Sequence, residues 1–368
     1  MHAIAINPGA PGTVLVERKE PQLNDPDEIK IRIHEVGICG TDREEVKGGR
    51  ADAPQGHVEL VIGHEMFGQV VEVGKSVSRV KVGDFAVFTV RRGCGKCLPC
   101  QMNRPDMCLS GDYKERGIKG LDGYQTEYVV DKEQYVVGVP PELKKVGVLC
   151  EPLSVAEKAI DEVQRIQTAR LPDAPSRPDW LHGRRCLVAG MGPIGLLAAL
   201  ALRLRGAQVF GLDIVDRDTP RPQWLETIGG AYIDGRDISA DKLDDQVGPM
   251  ELIFESTGVA SLEFNLLDAL GTDGIYVLTG IPGGDRPLEI PGAELVRQLV
   301  LDNQVMLGSV NAARDHFQMA VDDLLRAYQR WSRHVEKLIS NRYDYDDFAS
   351  AFSKHPANEI KSVIHWQK

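Results

Sequence analysis

The chain has 368 residues, 42% hydrophobic and 26% charged, a size and balance that suit two globular domains, each able to bury its own core. A formal charge of −11 with no basic tract argues against a nucleic-acid partner, and no apolar run reaches the roughly 18 residues that a membrane helix requires. The start, MHAIAINPGAPGTV, has no charged region followed by a long apolar one, so no signal peptide is expected, and seven cysteines, an odd number, fit a reducing cytoplasm better than a disulfide scaffold.

Residues 1–90 alternate short strand-like runs (HAIAI, TVLVER, EIKIRIHEVGIC, FGQVVEVG, FAVFTV) with Gly, Pro and Asp turns, the texture of a small barrel-like β domain. Two loops within it carry chemistry, Gly37-Ile38-Cys39-Gly40-Thr41-Asp42 and Gly63-His64-Glu65-Met66-Phe67-Gly68. Cys39, His64 and Glu65 offer sulfur, nitrogen and oxygen, the ligand types of a catalytic zinc that keeps one position for water or substrate. Singly, each has an ordinary reading as a packed thiol or a satisfied polar residue. The glycine-framed His-Glu pair favours the metal.

The next stretch, RRGCGKCLPCQMNRPDMC, places Cys94, Cys97, Cys100 and Cys108 at intervals of two, two and seven residues. Short gaps let the backbone turn and aim each sulfur inward, so four thiolates can wrap one tetrahedral zinc and leave no room for substrate. Such a knot holds a fold, and chemistry belongs to the other site. The competing reading is a pair of disulfides or loose thiols.

Residues 112–128, DYKERGIKGLDGYQTEY, carry Glu115, Arg116 and Lys119, which face either a polyhydroxylated substrate or solvent. A helical pattern then runs from Leu149-Cys150-Glu151-Pro152-Leu153 through Ile166, with Glu151 just ahead of the helix, where a carboxylate can be held toward a metal or can simply favour the helix dipole. A proline-rich connection follows over 169–183.

The period then changes. The strand RCLVA is followed at once by Gly190-Met191-Gly192-Pro193-Ile194-Gly195 and the apolar helix LLAALALRLRG. A GxGxxG string gains meaning from this strand-to-helix setting, where its glycines serve the tight turn, the approach of a pyrophosphate and helix packing, and the anion rests on the helix N-terminus. The following strand ends at Asp213, 18 residues past Gly195, where a carboxylate takes the ribose hydroxyls of NAD and disfavours the phosphate of NADP. Arg217 and Arg221 close behind keep NADP open, and NAD is favoured. Further strand–helix units (AYIDGR, MELIFESTG, GIYVLTGIPGG, VMLGSVN) predict a doubly wound parallel sheet, with Thr257, Gly258, Gly280 and Ile281 at strand ends beside the nicotinamide half of the cofactor. From Arg314 a helix is expected through Leu325.

Together these motifs resemble the zinc-dependent medium-chain dehydrogenase/reductase superfamily over essentially the whole chain: Gly63-His64-Glu65, Gly68, Gly74 and Val77 match its zinc signature, and the four cysteines match its structural zinc lobe. Within it the chain is most similar to the microbial glucose dehydrogenases, on Cys39-Gly40-Thr41-Asp42, Tyr113 to Gly117, Glu151-Pro152-Leu153-Ser154 with Glu157-Lys158, and Gly308-Ser309-Val310-Asn311. The resemblance implies an α/β protein, with a GroES-like β-barrel catalytic domain over 1–152 and 309–368 and a Rossmann dinucleotide-binding domain over 153–308. It implies Cys39, His64 and Glu151 as catalytic zinc ligands, Glu65 as a direct or alternating fourth, and Asp42 orienting His64. Thr41 would take the substrate hydroxyl proton, with Glu115, Glu151 and Asn311 on the sugar. Gly190, Gly192, Pro193, Ile194, Gly195, Asp213, Thr257, Gly280, Ile281, Ser309 and Asn311 would hold the dinucleotide. Cys150 is a packed neighbour of the site.

Two departures stand out. Glu44 occupies the position five after Cys39, where alcohol dehydrogenases often place a histidine ending a proton relay, and Asp213-Ile214-Val215 stands where many glucose dehydrogenases carry Asn or Gly followed by paired arginines. The implied reaction is oxidation of an aldose, D-glucose foremost, at C1 to the aldonolactone, in a cytoplasmic homodimer or homotetramer with a small sugar as its partner. The nearest rivals are a polyol or threonine dehydrogenase and a non-catalytic nucleotide-binding relative. Such relatives commonly lack the zinc ligands, which this chain keeps.

Overall fold

The computed structural model describes residues 1–172, 179–239, 242–283, 287–354, 356 and 358–367, so part of the expected connection at 169–183 lies outside the described residues. The chain divides into two compact units, Met1–Ser154 with Asn311–Lys368, and Val155–Val310.

In the first unit, β1 (His2–Ile6), β2 (Val14–Glu17) and β4 (Leu60–Val61) form a small antiparallel sheet in the order β2-β1-β4. The larger sheet is centred on β3 (Glu28–Gly37), whose Ile29, Ile31 and Ile33 are fully buried, the alternation expected of a strand with one face in the core. It runs β11 (Val136–Val139), β6 (Phe85–Phe88), β5 (Glu65–Val73), β3, β19 (Lys361–His365), β18 (Ile339–Asp344), with β10 (Tyr128–Lys132) also on β3. Helix α1 (Gly40–Val46) follows β3 directly. The four-cysteine segment holds β7 (Arg91–Arg92) and the short α2 (Leu98–Gln101), and β7, β8 (Lys114–Arg116) and β9 (Gly120–Leu121) make a third sheet. The alternating runs of residues 1–90 therefore become strands, although the two-residue strands carry no periodicity for the sequence to show. Helix α3 (Cys150–Arg170) begins one residue before Glu151 and runs four beyond Ile166.

The second unit alternates β12 (Arg185–Ala189), α4 (Pro193–Leu204), β13 (Gln208–Asp213), α5 (Pro220–Thr227), β14 (Ala231–Asp234), α6 (Leu243–Val247), β15 (Met250–Glu255), α7 (Ala260–Asn265), β16 (Leu270–Leu278), α8 (Gly292–Leu301) and β17 (Val305–Gly308). All its strands pair in parallel, in the order β14-β13-β12-β15-β16-β17. The order reverses after β12, which puts the glycine loop at the switch point where a doubly wound sheet binds ligand. Helix α4 is apolar nearly all round, with eight buried residues, as a helix inside such a layer must be.

The chain returns to the first unit through α9 (Arg314–Glu336) and α10 (Phe348–Ser353). Helix α9 extends past Leu325, where Ala327 continues its buried face, and kinks at Ser332, whose backbone is not helical, before a last turn that buries Val335.

One buried polar network steadies the first unit. Asp131 Oδ2 accepts from Arg92 Nη2 at 2.7 Å and from Arg116 Nη2 at 2.6 Å, while Arg92 Nη2 lies 3.2 Å from the Tyr124 hydroxyl and Arg92 Nη1 donates to the Thr89 carbonyl at 2.8 Å. Arg116, expected to face either substrate or solvent, is instead engaged by Asp131. Although burial alone would raise Asp131, Arg116 and Arg92 hold its carboxyl well below the usual range. Asp131→Ala would leave two guanidinium groups uncompensated, and a loss of about 3–5 kcal/mol is expected in urea denaturation. A change below about 1 kcal/mol would show that the arginines find other partners.

Candidate functional site

Cys39 caps α1 and Asp42 closes the cap: its Oδ2 accepts from the Cys39 backbone N–H at 2.7 Å. The same turn aims Asp42 Oδ1 at His64 Nδ1, 3.5 Å away, with Asp42 completely buried. Thr41, half-buried, shares this turn. From the strand below, Gly63, with φ +88, turns the chain so that His64 and Glu65 enter β5 beside Cys39. Ligand atoms of Cys39, His64 and Glu65 lie within 4.8 Å of one another.

Glu65 reaches this position because Gly37 has no side chain: a Cβ there would fall 2.0 Å from Glu65 Oε2. Its carboxylate is met by Lys361 Nζ at 2.5 Å, and the same ammonium donates to the Ile38 carbonyl at 2.9 Å. Lys361, on β19 and 2% exposed, is a member of the site that no local motif betrays. Burial opposes its charge, but Glu65, Cys39 and Asp42 outweigh that and raise its pKa.

Glu151 sits in the first turn of α3 and does not join the Cys39–His64–Glu65 group at that spacing. Burial first, then its acidic neighbours Glu65 and Asp42, pushes it up to about 7 against the opposing pull of His64 and Lys361. His64 is also raised: burial works against the imidazolium, but Asp42 and Cys39 prevail. Asp42 Oδ1 and His64 Nδ1 are buried and face each other at 3.5 Å, neither with a closer partner. A crowd of acidic donors that raises its own histidine, with orphaned atoms beside soft and hard ligands, fits a divalent zinc.

Glu45, one turn beyond Thr41, is also buried with both oxygens unpartnered, and burial followed by Asp42 pushes it up to about 8. Glu44, at the relay position, is exposed. Cys150 is fully buried, and burial alone raises its thiol.

The sugar-binding candidates also meet. Glu115 Oε1 accepts from Arg91 Nε and Nη2 at 3.0 and 2.9 Å and from Asn311 Nδ2 at 2.7 Å. Asn311 takes a left-handed φ of +64, and its own Oδ1 accepts from the Ala312 N–H, which fixes the amide. Lys119 instead donates to the Gly111 carbonyl and lies over the Tyr113 ring.

At the four-cysteine segment the sulfurs of Cys94 and Cys100, and of Cys97 and Cys108, stand 4.0 Å apart, and all four are free. A tetrahedron with Zn–S bonds of about 2.3 Å has edges of about 3.8 Å, so this spacing suits one zinc and excludes a disulfide.

In the second unit, Gly190 has φ +90 and a Cβ on Gly195 would lie 1.8 Å from the Gly190 carbonyl oxygen, so both must be glycine. At Gly192 a Cβ would meet nothing within 4 Å, which leaves open backbone beside Pro193 and Ile194 at the start of α4 for a pyrophosphate. Asp213 ends β13, and its Oδ2 accepts from the Met191 N–H at 2.6 Å. Arg217 is engaged by Glu226 at 2.9 Å. The sequence did not point to Glu255, fully buried, whose carboxylate accepts from the N–H groups of Thr257, Gly258 and Gly280 and from the Thr257 hydroxyl. It thereby fixes the strand-end loops that carry Thr257, Gly280 and the exposed Ile281. Ser309 is buried at the end of β17, its hydroxyl without a partner.

Residues 25–141 match the alcohol dehydrogenase GroES-like domain, and residues 144–366 match the glucose dehydrogenase C-terminus. The glucose 1-dehydrogenase of Methanocella arvoryzae is 37% identical over 365 residues, 99% of each chain, and that of Thermoproteus tenax is 34% identical over the full length of both. The Haloferax mediterranei glucose dehydrogenase, solved in complex with NADP, Zn and gluconolactone, superposes over 100% of both chains with a TM-score of 0.89 at 30% identity. These matches place the chain in the zinc-dependent medium-chain dehydrogenase/reductase superfamily. Within it, the chain belongs to the glucose dehydrogenase family.

Replacing Cys97 by Ser removes one of four thiolates from a closed site, so the variant should lose the metal of that lobe by elemental analysis and melt at lower temperature. An unchanged metal content and melting temperature would refute a metal role for the four cysteines.

Proposed function

We propose that this protein is a zinc-dependent, NAD(P)-using dehydrogenase that oxidises D-glucose at C1 to the aldonolactone. The observation that carries the reading is the convergence in one unit of a Cys–His–carboxylate cluster and the Glu115–Asn311 pair, in a chain whose full-length relatives are glucose 1-dehydrogenases. When bound, the metal supplies Lewis acidity to the C1 hydroxyl and the nicotinamide accepts the hydride.

The chain's own residues do the rest. Cys39 and His64 would hold the zinc, with Glu151 and Glu65 as its carboxylate neighbours. Lys361 keeps Glu65 engaged, and so favours Glu65 as an alternating rather than a permanent ligand. Asp42 orients the imidazole of His64. Thr41, at the start of α1, takes the substrate hydroxyl proton and passes it outward. Glu115 accepts from sugar hydroxyls, and Asn311, held by its own backbone bond, donates to them. The loop from Gly190 to Gly195 would cradle the pyrophosphate, with Asp213 on the adenosine ribose. The carboxylate at the end of β13 and the engagement of Arg217 by Glu226 both favour NAD over NADP, in contrast to the NADP complex of the Haloferax relative.

His64→Ala should lower turnover of D-glucose about 1,000-fold, the equivalent of several kcal/mol of Lewis-acid stabilisation, while dinucleotide binding measured by fluorescence persists. Full activity in the variant would remove the cluster from the chemistry. Initial rates across D-glucose, D-galactose, D-xylose, sorbitol and threonine, with NAD and NADP in parallel, should be highest for an aldose with NAD. Rapid oxidation of sorbitol or threonine with none of the aldoses would overturn the substrate, and a higher kcat/KM with NADP would overturn the cofactor preference.

A further inference from the structure

Away from the metal cluster, the first unit holds a cavity of about 580 Å³ lined by His34, Glu35, Lys144, Arg342, His365 and Gln367, together with Lys145 and Glu336. Two adjacent residues of a regular strand point to opposite faces, yet His34 and Glu35 both line this space. The strand register explains it. Ile33 pairs with Gly68 and Glu35 with Phe67, so His34 is the extra residue of a β-bulge in β3. A bulge turns a side chain from its regular direction, and here it brings two polar groups to one cavity.

Both groups arrive unsatisfied. His34 is 5% exposed and Glu35 7%, and His34 Nε2 and Glu35 Oε2 are buried without a hydrogen-bond partner. The His34 ring is fixed by edge contacts with Phe67 and Phe85, centroids 5.9 and 5.6 Å away. Burial, with Lys144, Arg32 and His365 nearby, pushes it down to about 4, so it is a neutral imidazole at ordinary pH. A buried polar atom left without a partner costs on the order of 1–3 kcal/mol, and two in one cavity mark a place for a ligand that satisfies them.

The charges specify what kind. Arg342 Nε bonds the other Glu35 oxygen at 2.8 Å, and its Nη2 donates to the Lys145 carbonyl. Lys145 Nζ faces Glu336 at 3.2 Å. These ion pairs offset one another. Lys144, whose ammonium lies 5.7 Å over the Phe85 ring, brings the remaining positive charge. One net cation among the lining residues suits a monoanion, Glu35 Oε2 needs a donor, and His34 Nε2 needs a group that can either donate or accept. A hydroxyl meets both needs with one small group.

We propose that this cavity binds a small hydroxylated carboxylate, its carboxylate on Lys144 and its hydroxyls on Glu35 and His34. The sugar acid that forms when water opens the C1–oxygen ester bond of an aldonolactone is such a molecule: hydroxide adds to C1, the ring oxygen takes the proton, and the acid ionises. This identification of the ligand rests on the proposed oxidation of glucose, and it makes the cavity a site for the product's hydrolysed form, separate from the cluster of Cys39, His64 and Glu65.

The test is calorimetric titration of the zinc- and cofactor-loaded protein with gluconate, with glucose and acetate as arms lacking the carboxylate and the hydroxyls. Lys144→Gln, at an exposed position, removes the cation without threatening the fold, and His34→Phe replaces the orphaned nitrogen with carbon. Saturable binding of one gluconate per chain, weakened about tenfold in each variant while the KM for glucose is unchanged, is the expected result. Absence of saturable binding, or equal affinity in Lys144→Gln and the parent, overturns the proposal. Turnover measured on the same samples separates the two readings. Gluconate binding that depends on Lys144 in a protein that does not oxidise glucose leaves the cavity a hydroxy-acid site and removes the reaction. Normal glucose oxidation without Lys144-dependent binding removes the cavity alone.

Discussion

The pairing of Lys361 with Glu65 is the interaction on which the catalytic unit turns. It joins β19, near the end of the chain, to β5, almost 300 residues earlier, through antiparallel pairing of β19 with β3 at Val363–Gly37 and Ile364–Val36. An ammonium 2% exposed and a carboxylate 1% exposed are each costly to bury, and either alone would destabilise the fold by several kcal/mol. Together they place a fixed charge pair beside Cys39. Gly37 is part of the same arrangement, because only a residue without a side chain leaves space for Glu65.

Around that pair the negative groups outnumber the positive ones. Asp42, Glu65, Glu151 and the Cys39 thiol stand with Lys361 and His64; burial first and the acidic neighbours Glu65 and Asp42 next raise Glu151, while Asp42 and Cys39 raise His64 against burial. A divalent cation relieves this crowding, which ties the stability of the cluster to its chemistry. The four-cysteine lobe solves a different problem. Its four sulfurs could close a tetrahedron around one metal, as a bracing site would, whereas a metal held by the mixed cluster would keep a position for a substrate oxygen on the proposed reading. The nucleotide unit uses a third device. Glu255 is held almost entirely by backbone N–H groups, and so it positions the loops without charge pairing.

Features defined by local spacing were legible in the sequence. The cysteine intervals, the glycine loop between strand and helix, and the parallel alternation of the second unit all depend on residues close together in the chain, and each is found where expected. What escaped depends on contacts between distant segments. Lys361 sits in a strand whose sequence, KSVIH, says nothing of a carboxylate at residue 65. Arg116 reads as a surface charge until Asp131, on β10, is brought to it. The bulge at His34 leaves no trace in EIKIRIHEVG, where alternation continues as though the register were regular. Glu151 reads either as a carboxylate held toward a metal or as a helix-start acid, and the fold sets it in the first turn of α3, outside the tighter group of three.

On the proposed reading the mixed cluster and the four-cysteine lobe hold separate metals, the first for chemistry and the second for structure. A crystal structure of the purified protein with anomalous diffraction at the zinc edge distinguishes two metals from one. Two peaks are predicted, one bounded by Cys39 Sγ and a His64 ring nitrogen with a carboxylate oxygen in reach, the other at the centre of Cys94, Cys97, Cys100 and Cys108. A single peak confined to the four cysteines, in protein that oxidises glucose, would contradict it.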